Sequence, residues 1–180
     1  FNYGSDRLIS MWHAGEGTRF YHLDGLRSVV ALTDTTGAVT EIVVAACQRA
    51  QPGVQWEGVT ARFGAAYIAD EASYAKAAPA TLDAFDAFYA GHDVVLLACF
   101  GDPGLLALRE RSRVPVIGLA QSSFEAAARR GRFAVVTGGH AWAPMLAQFA
   151  REHRLDEHLV GIHTIDWTGA QIAADPGVGR

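Results

Sequence analysis

From about residue 28 onward one pattern repeats: a short β-branched or aliphatic run, a turn, then an alanine-rich stretch with helical spacing. "RSVVALT" (27–33) predicts a strand and "GAVTEIVVAACQRA" (37–50) a helix. "VQWEGVTA" (54–61) predicts a strand, and "DEASYAKAAPATLDAFDAFYAG" (70–91) a helix with a break or kink near Pro79. "DVVLLACF" (93–100), "VPVIGLA" (114–120), "RFAVVTG" (132–138) and "LVGIHTID" (159–166) predict further strands. "GLLALRERS" (104–112), "SSFEAAARRG" (122–131) and "HAWAPMLAQFAREHR" (140–154) predict the helices between them. Strand–helix alternation with uninterrupted apolar strands implies an α/β fold, a parallel sheet with helices on both faces.

Residues 1–35 have a different texture, rich in Gly, Tyr, Trp, His and Asp. Alternating pieces such as "RLISMW" and "TRFYHL", broken by Gly and Asp, predict a short β-hairpin-like segment.

Composition narrows the function classes. With 180 residues the chain makes one domain or two small lobes. Half its residues are apolar and 19% are charged, as in soluble globular proteins. The net charge of −4 and the absence of a basic stripe exclude a nucleic-acid partner. Lys76 is the only lysine, so Schiff-base chemistry has a single candidate, on a predicted exposed helix. No apolar run approaches the roughly 18 residues of a membrane span, and no signal peptide is visible. Two cysteines make no disulfide framework and suit a reducing, cytoplasmic setting. A start at Phe1 and an end in "ADPGVGR" read as the ends of a fragment.

In open α/β sheets, ligand sites lie at the carboxyl ends of the strands. Cys99 stands at such an end, in "VVLLACFGDPGLLALRE" (94–110), ahead of a turn that opens a helix. Amide groups and a helix dipole at that position are expected to lower the pKa of a thiol. Gly101 and Gly104 allow the backbone to approach a ligand. Such a thiolate can serve as a nucleophile or as a base toward an acidic carbon. A nucleophile would need a histidine partner, for which His140, after "TGG", and His163, in "GIHTID", are the candidates. Cys47 lies on the apolar stripe of a helix and reads as core filler. "VVTGGHAW" ends another strand at Thr137, Gly138 and Gly139, where free N–H groups can hold a carboxylate or imide oxygen.

The segments "AVTEIVVAA", "GVTARFGAAYIADEASYAKAAPATLDAF", "DVVLLACFGDPGLLALRE", "VPVIGLAQSSFEAAARRGRFAVVTGG", "AWAPML" and "TGAQIAADP", in that order, resemble the aspartate/glutamate/hydantoin racemase superfamily, hydantoin racemases most of all. The resemblance covers about residues 36–175. It implies two α/β lobes with the site between them, and cofactor-independent racemisation by two cysteines on opposite faces of a substrate α-carbon. Cys99 matches the first of these; no residue of this chain matches the second, and the C-terminal part of the family pattern is missing. A thiol's reference pKa near 8.5 lies within tuning distance of neutrality, which suits proton transfer at carbon. The expected substrate is a 5-substituted hydantoin or a related amino-acid derivative, with no cofactor or metal. Its expected contacts are Phe100, Gly101 and Asp102 beside Cys99, and Thr137, Gly138 and Gly139 at the second strand end. Asp34, Thr35 and Thr36 stand where the family has an Asn-Pro-Asn-Thr-Ser-like loop.

"TRFYHLDGLRSVVALTDTTGAVTE", within residues 1–41, resembles rearrangement-hotspot (YD-type) repeat proteins. The expected division is therefore a repeat-like β segment at 1–27 and a truncated racemase-like domain at 28–180, in which "SVVALT" stands in for the family's first strand. With one family cysteine the chain is expected to be weakly active or inactive. The alternative is a non-catalytic part of a repeat protein. Apolar surface left uncovered is expected to favour association, which leaves a homo-oligomer open.

Overall fold

The computed structural model describes residues 9–13, 17–21, 27–32, 38–65 and 68–166. Strands β1 (Ile9–His13) and β2 (Gly17–Tyr21) pair antiparallel, Ile9 opposite Tyr21, as the alternation of the first residues predicts. β3 (Arg27–Leu32), β4 (Gln55–Thr60), β5 (Val94–Leu97) and β6 (Val116–Gly118) form one sheet in the order β4-β3-β5-β6. Every neighbouring pair in it is parallel. Val30 lies opposite Gly58 on one side and Leu96 on the other, so "RSVVAL" is a central strand of this sheet. β7 (Phe133–Gly138) and β8 (Leu159–Ile165) make a second, two-stranded parallel sheet.

Helices α1 (Ala38–Ala50), α2 (Glu71–Phe88), α3 (Leu105–Arg111), α4 (Leu119–Ala128) and α5 (Trp142–Glu152) connect the strands. All four residues of β5 are buried, which its uninterrupted apolar run requires. Val95 and Leu97 pack with Ala80, Ala84 and Phe85 of α2 and Leu105 and Leu108 of α3. Leu96 points the other way, into a cluster with Ala46 and Cys47 of α1. Cys47 is the core residue the helical stripe predicts. It is fully buried, and burial pushes its thiol up to about 12.

The second sheet is covered on one face only among the described residues. Phe133, Val135, Leu159 and Ile162 pack against Phe124 of α4 and Leu146 and Phe149 of α5. Val136 and Val160 lie outward, 70% and 51% exposed. Coverage on both faces thus holds for the first sheet and not for the described part of the second.

Two features refine the sequence expectation. α2 runs unbroken through Pro79, which removes one backbone N–H from the helix. The small residues Ala77, Ala80, Thr81 and Ala84, all buried, hold the helix close to its neighbours on both sides of that proline. The strand read as "VPVIGLA" ends at Gly118, and α4 starts at once with Leu119. The cause is a carboxylate from a distant turn, described below. No helix among the described residues is long and apolar enough to cross a membrane.

Candidate functional site

β5 delivers Cys99 to the carboxyl end of the first sheet, half-buried, where the chain leaves the strand. Its side chain packs against both large cores, that of the first sheet and that formed by α4, α5 and the second sheet. The thiol therefore stands at the seam between the two lobes.

The turn after it is tightly held. The Asp102 N–H donates to the Cys99 carbonyl at 3.0 Å, and the Leu105 N–H donates to the Asp102 carbonyl at 3.1 Å. Gly101 and Gly104 have φ of +97° and +82°, which glycine adopts without penalty. Asp102 itself has φ +53°, a conformation that disfavours most side chains. α3 begins only at Leu105, so the turn rather than a helix end surrounds the thiol.

The Asp102 carboxylate is buried and accepts from the Ala120 N–H at 2.9 Å and the Gln121 N–H at 2.8 Å. It satisfies donors that the start of α4 would otherwise leave unpaired. This is why the helix starts immediately after β6. Gly118 leaves the necessary room: a Cβ there would lie 2.2 Å from Asp102 Oδ2. Burial raises the Asp102 carboxyl to about 6, against the lowering effect of the Gln121 and Ala120 N–H groups. Asp102, expected beside the substrate, is thus turned toward α4.

Two aromatic residues not among the expected site residues complete the turn. α2 is started by a reciprocal cap: Asp70 accepts from the Ser73 N–H at 2.8 Å, and the Asp70 N–H donates to the Ser73 hydroxyl at 3.0 Å. The next residue, Tyr74, donates its hydroxyl to the Gly101 carbonyl at 2.6 Å. Burial pushes the Tyr74 phenol up to about 12, with Asp102 and Cys99 adding to the rise, so it stays protonated and a donor. From the other lobe comes Trp142, the first residue of α5. A Cβ on Gly101 would meet Trp142 Cζ3 at 3.1 Å and Tyr74 Cε2 at 3.2 Å, so only glycine fits between the rings. A Cβ on Gly139 would lie 3.8 Å from Trp142 Cδ1. The indole therefore links the Cys99 turn to the "TGG" turn. Trp142 ends the "VVTGGHAW" stretch and Tyr74 follows the helix cap, but Gly101, on which both pack, is far from each in sequence.

Thr137, Gly138 and Gly139 are half-buried at the end of β7, as expected for a site at strand ends. The Gly139 N–H, expected as a free donor, instead donates to the Ile165 carbonyl at 3.2 Å. Phe100 is exposed and leans on Phe124, ring centroids 6.1 Å apart. His140 binds Thr164 Oγ1 through Nδ1 at 2.8 Å and Asp166 Oδ1 through Nε2 at 3.0 Å. Both ring nitrogens thus engage the end of β8. His163 is exposed on β8. Asp34, Thr35 and Thr36 lie outside the described residues. A cavity of about 320 Å³ adjoins the turn, walled by Tyr74, Gly101, Trp142, Met145 and Phe149, with Glu71 and Glu152 also lining it.

Residues 29–178 match the family model described as Asp/Glu/Hydantoin racemase. A hydantoin racemase of Rhizobium meliloti is 32% identical over 87 residues, 48% of this chain and 36% of that relative. An allantoin racemase structure from Klebsiella pneumoniae superposes with a TM-score of 0.80 at 31% identity, covering 86% of this chain and 64% of that one. An allantoin racemase from Pseudomonas fluorescens gives 0.77 at 25% identity, covering 86% and 66%. The matched part of this chain thus spans about a third of that curated relative and about two thirds of each solved structure.

Proposed function

The chain belongs to the Asp/Glu/hydantoin racemase family, and from that premise we propose that Cys99 is an acid/base group acting on the α-carbon of a cyclic ureide. The class of reaction is racemisation, an isomerase activity. The substrate class is a 5-substituted hydantoin or an allantoin-like relative, by analogy with the named relatives. The observation that carries the reading is the position of Cys99 at the seam of two cores, just past a strand's carboxyl end, in the turn whose Gly101 lines the cavity.

The chemistry needs a base and a stabilised carbanion. The Cys99 thiolate takes the proton from the α-carbon, and the electron pair left behind delocalises into the neighbouring ureide carbonyl. The thiol then returns a proton to the same face, or a second donor delivers one to the other face. The α-proton of a hydantoin is acidic enough for a thiolate near neutral pH. The reaction as proposed draws on thiol chemistry alone, without an organic cofactor.

This sequence holds two cysteines, and Cys47 is fully buried against α1's own sheet face. One thiol serves one face of the carbon. The 180-residue chain is therefore expected to exchange an α-proton more readily than it inverts the centre.

The test is α-proton exchange in D2O, followed by NMR with each enantiomer of a 5-substituted hydantoin and of allantoin. One enantiomer should gain deuterium with its configuration retained. Cys99→Ala should lower that rate by about 100-fold or more, the scale of a lost general base. Wild-type exchange no faster than buffer would overturn the reading.

A further inference from the structure

We infer that Tyr74 is a positioning residue for Cys99, its hydroxyl locking the orientation of the peptide unit between Gly101 and Asp102. The inference rests on the acid/base reading of Cys99, and the role it assigns to Tyr74 is additional to that reading.

A peptide unit is planar, so its C=O and N–H turn together. Here both polar atoms of one unit are occupied. The Gly101 carbonyl accepts from the Tyr74 hydroxyl at 2.6 Å, and the Asp102 N–H donates to the Cys99 carbonyl at 3.0 Å. The second bond ties the turn directly to the backbone of the cysteine.

An alternative orientation is close at hand. Rotating this unit by about half a turn leaves the Cα atoms and side chains of Gly101 and Asp102 in place. It changes φ of Asp102 from +53° to an ordinary extended value, which non-glycine residues prefer. At Gly101, with φ +97°, nothing resists the rotation, because glycine accepts either orientation. The Asp102 carboxylate, held by the Ala120 and Gln121 N–H groups, fixes the side chain and leaves the peptide free to turn. The hydroxyl of Tyr74 is the contact that opposes the rotation from outside the turn. Its ring lies against Gly101 on one side while Trp142 closes the other, so the donor approaches along a fixed line. The phenol, raised by burial, does not lose its proton in the working range and remains a donor.

Without that hydrogen bond the turn samples the rotated state, the bond to the Cys99 carbonyl opens, and the thiol loses its fixed relation to the substrate carbon. Misplacement of a reacting group by about an ångström is enough to slow proton transfer severely.

Tyr74→Phe keeps the ring and removes only the hydroxyl. Three readouts on the full chain test the inference. In α-deuterium exchange, kcat should fall about 10-fold or more with KM changed by less than about 2-fold. The pH midpoint for alkylation of Cys99 by iodoacetamide, located by mass spectrometry, should move by roughly half a unit or more, because thiol reactivity follows its surroundings. The Asp102 amide, slow to exchange with solvent in the wild type, should exchange at least about 10-fold faster in the variant. An unchanged alkylation profile together with an unchanged Asp102 amide would overturn the inference, whatever the α-exchange rates. An inert wild type combined with a shifted alkylation profile would instead remove the acid/base reading and leave the positioning role standing. Should Tyr74→Phe fail to fold, the wild-type Asp102 amide decides: fast exchange there refutes a locked peptide, slow exchange supports it.

Discussion

β5 and β7 are both parallel strands that end at a glycine-containing turn, yet they are buried differently. β5 is covered on both faces and every residue of it is buried. β7 alternates half-buried and exposed positions, and Val136 faces outward at 70% exposure. The turn after β5 is held by two other helices, through the Tyr74 side chain of α2 and the backbone N–H groups at the start of α4 that donate to Asp102. The turn after β7 is held mainly by the neighbouring strand, through Gly139 with Ile165 and His140 with Thr164 and Asp166. Rigid placement of the Cys99 turn thus goes with complete burial of the strand before it, because a packed core leaves the turn little freedom to adjust.

Three measurements break or sharpen that contrast. The largest effect is expected in β5. Leu97→Ala empties a fully buried site between β5 and α2, and should lower stability by about 2–5 kcal/mol in urea unfolding. A loss near zero would mean that the first sheet is no better packed than the second.

The next effect concerns the Asp102 latch. Its folded carboxyl is raised to about 6, above the ordinary 3.8. Between those values the native state holds more protons than the unfolded one, so this group's contribution to stability is present at acid pH and is lost as pH rises through about 6. Asp102→Asn keeps an acceptor toward α4 and cannot titrate. It should remove that part of the slope of stability against pH, measured by urea unfolding from pH 4 to pH 8. An identical slope in wild type and variant would show that the carboxylate is not buried as described.

The smallest effect belongs to β7. Val136→Thr alters an outward position and should change stability by no more than about 0.5 kcal/mol. A loss as large as that of Leu97→Ala would mean that the outer face of the second sheet is covered in solution.

The sequence made the first sheet legible for a simple reason. A run such as "VVLL" can only be an internal strand, and helices with apolar stripes can only cover it. Cys99 could be singled out because it follows such a run directly, ahead of a glycine-rich turn. The early start of α4 was not legible, and the continuity of the helix through Pro79 only in part. Both depend on contacts that come from elsewhere, the Asp102 carboxylate in one case and buried alanines in the other. The same is true of the meeting of Tyr74 and Trp142 at Gly101, since neither lies near that glycine in sequence.

What the sequence determines by itself is periodic and local: strand–helix alternation, the parallel sheet, the hairpin before it, the core role of Cys47 and the position of Cys99 at a strand's end. What the tertiary structure alone decides is which side chains meet across the lobes. Tyr74 on Gly101, Asp102 on Ala120 and Trp142 on Gly101 are contacts between residues 27, 18 and 41 positions apart in the chain. Hydrophobic periodicity reports only whether a residue faces inward, because burial is non-directional. Hydrogen bonds and ring packing are directional, so their partners are settled only when the two lobes close on each other.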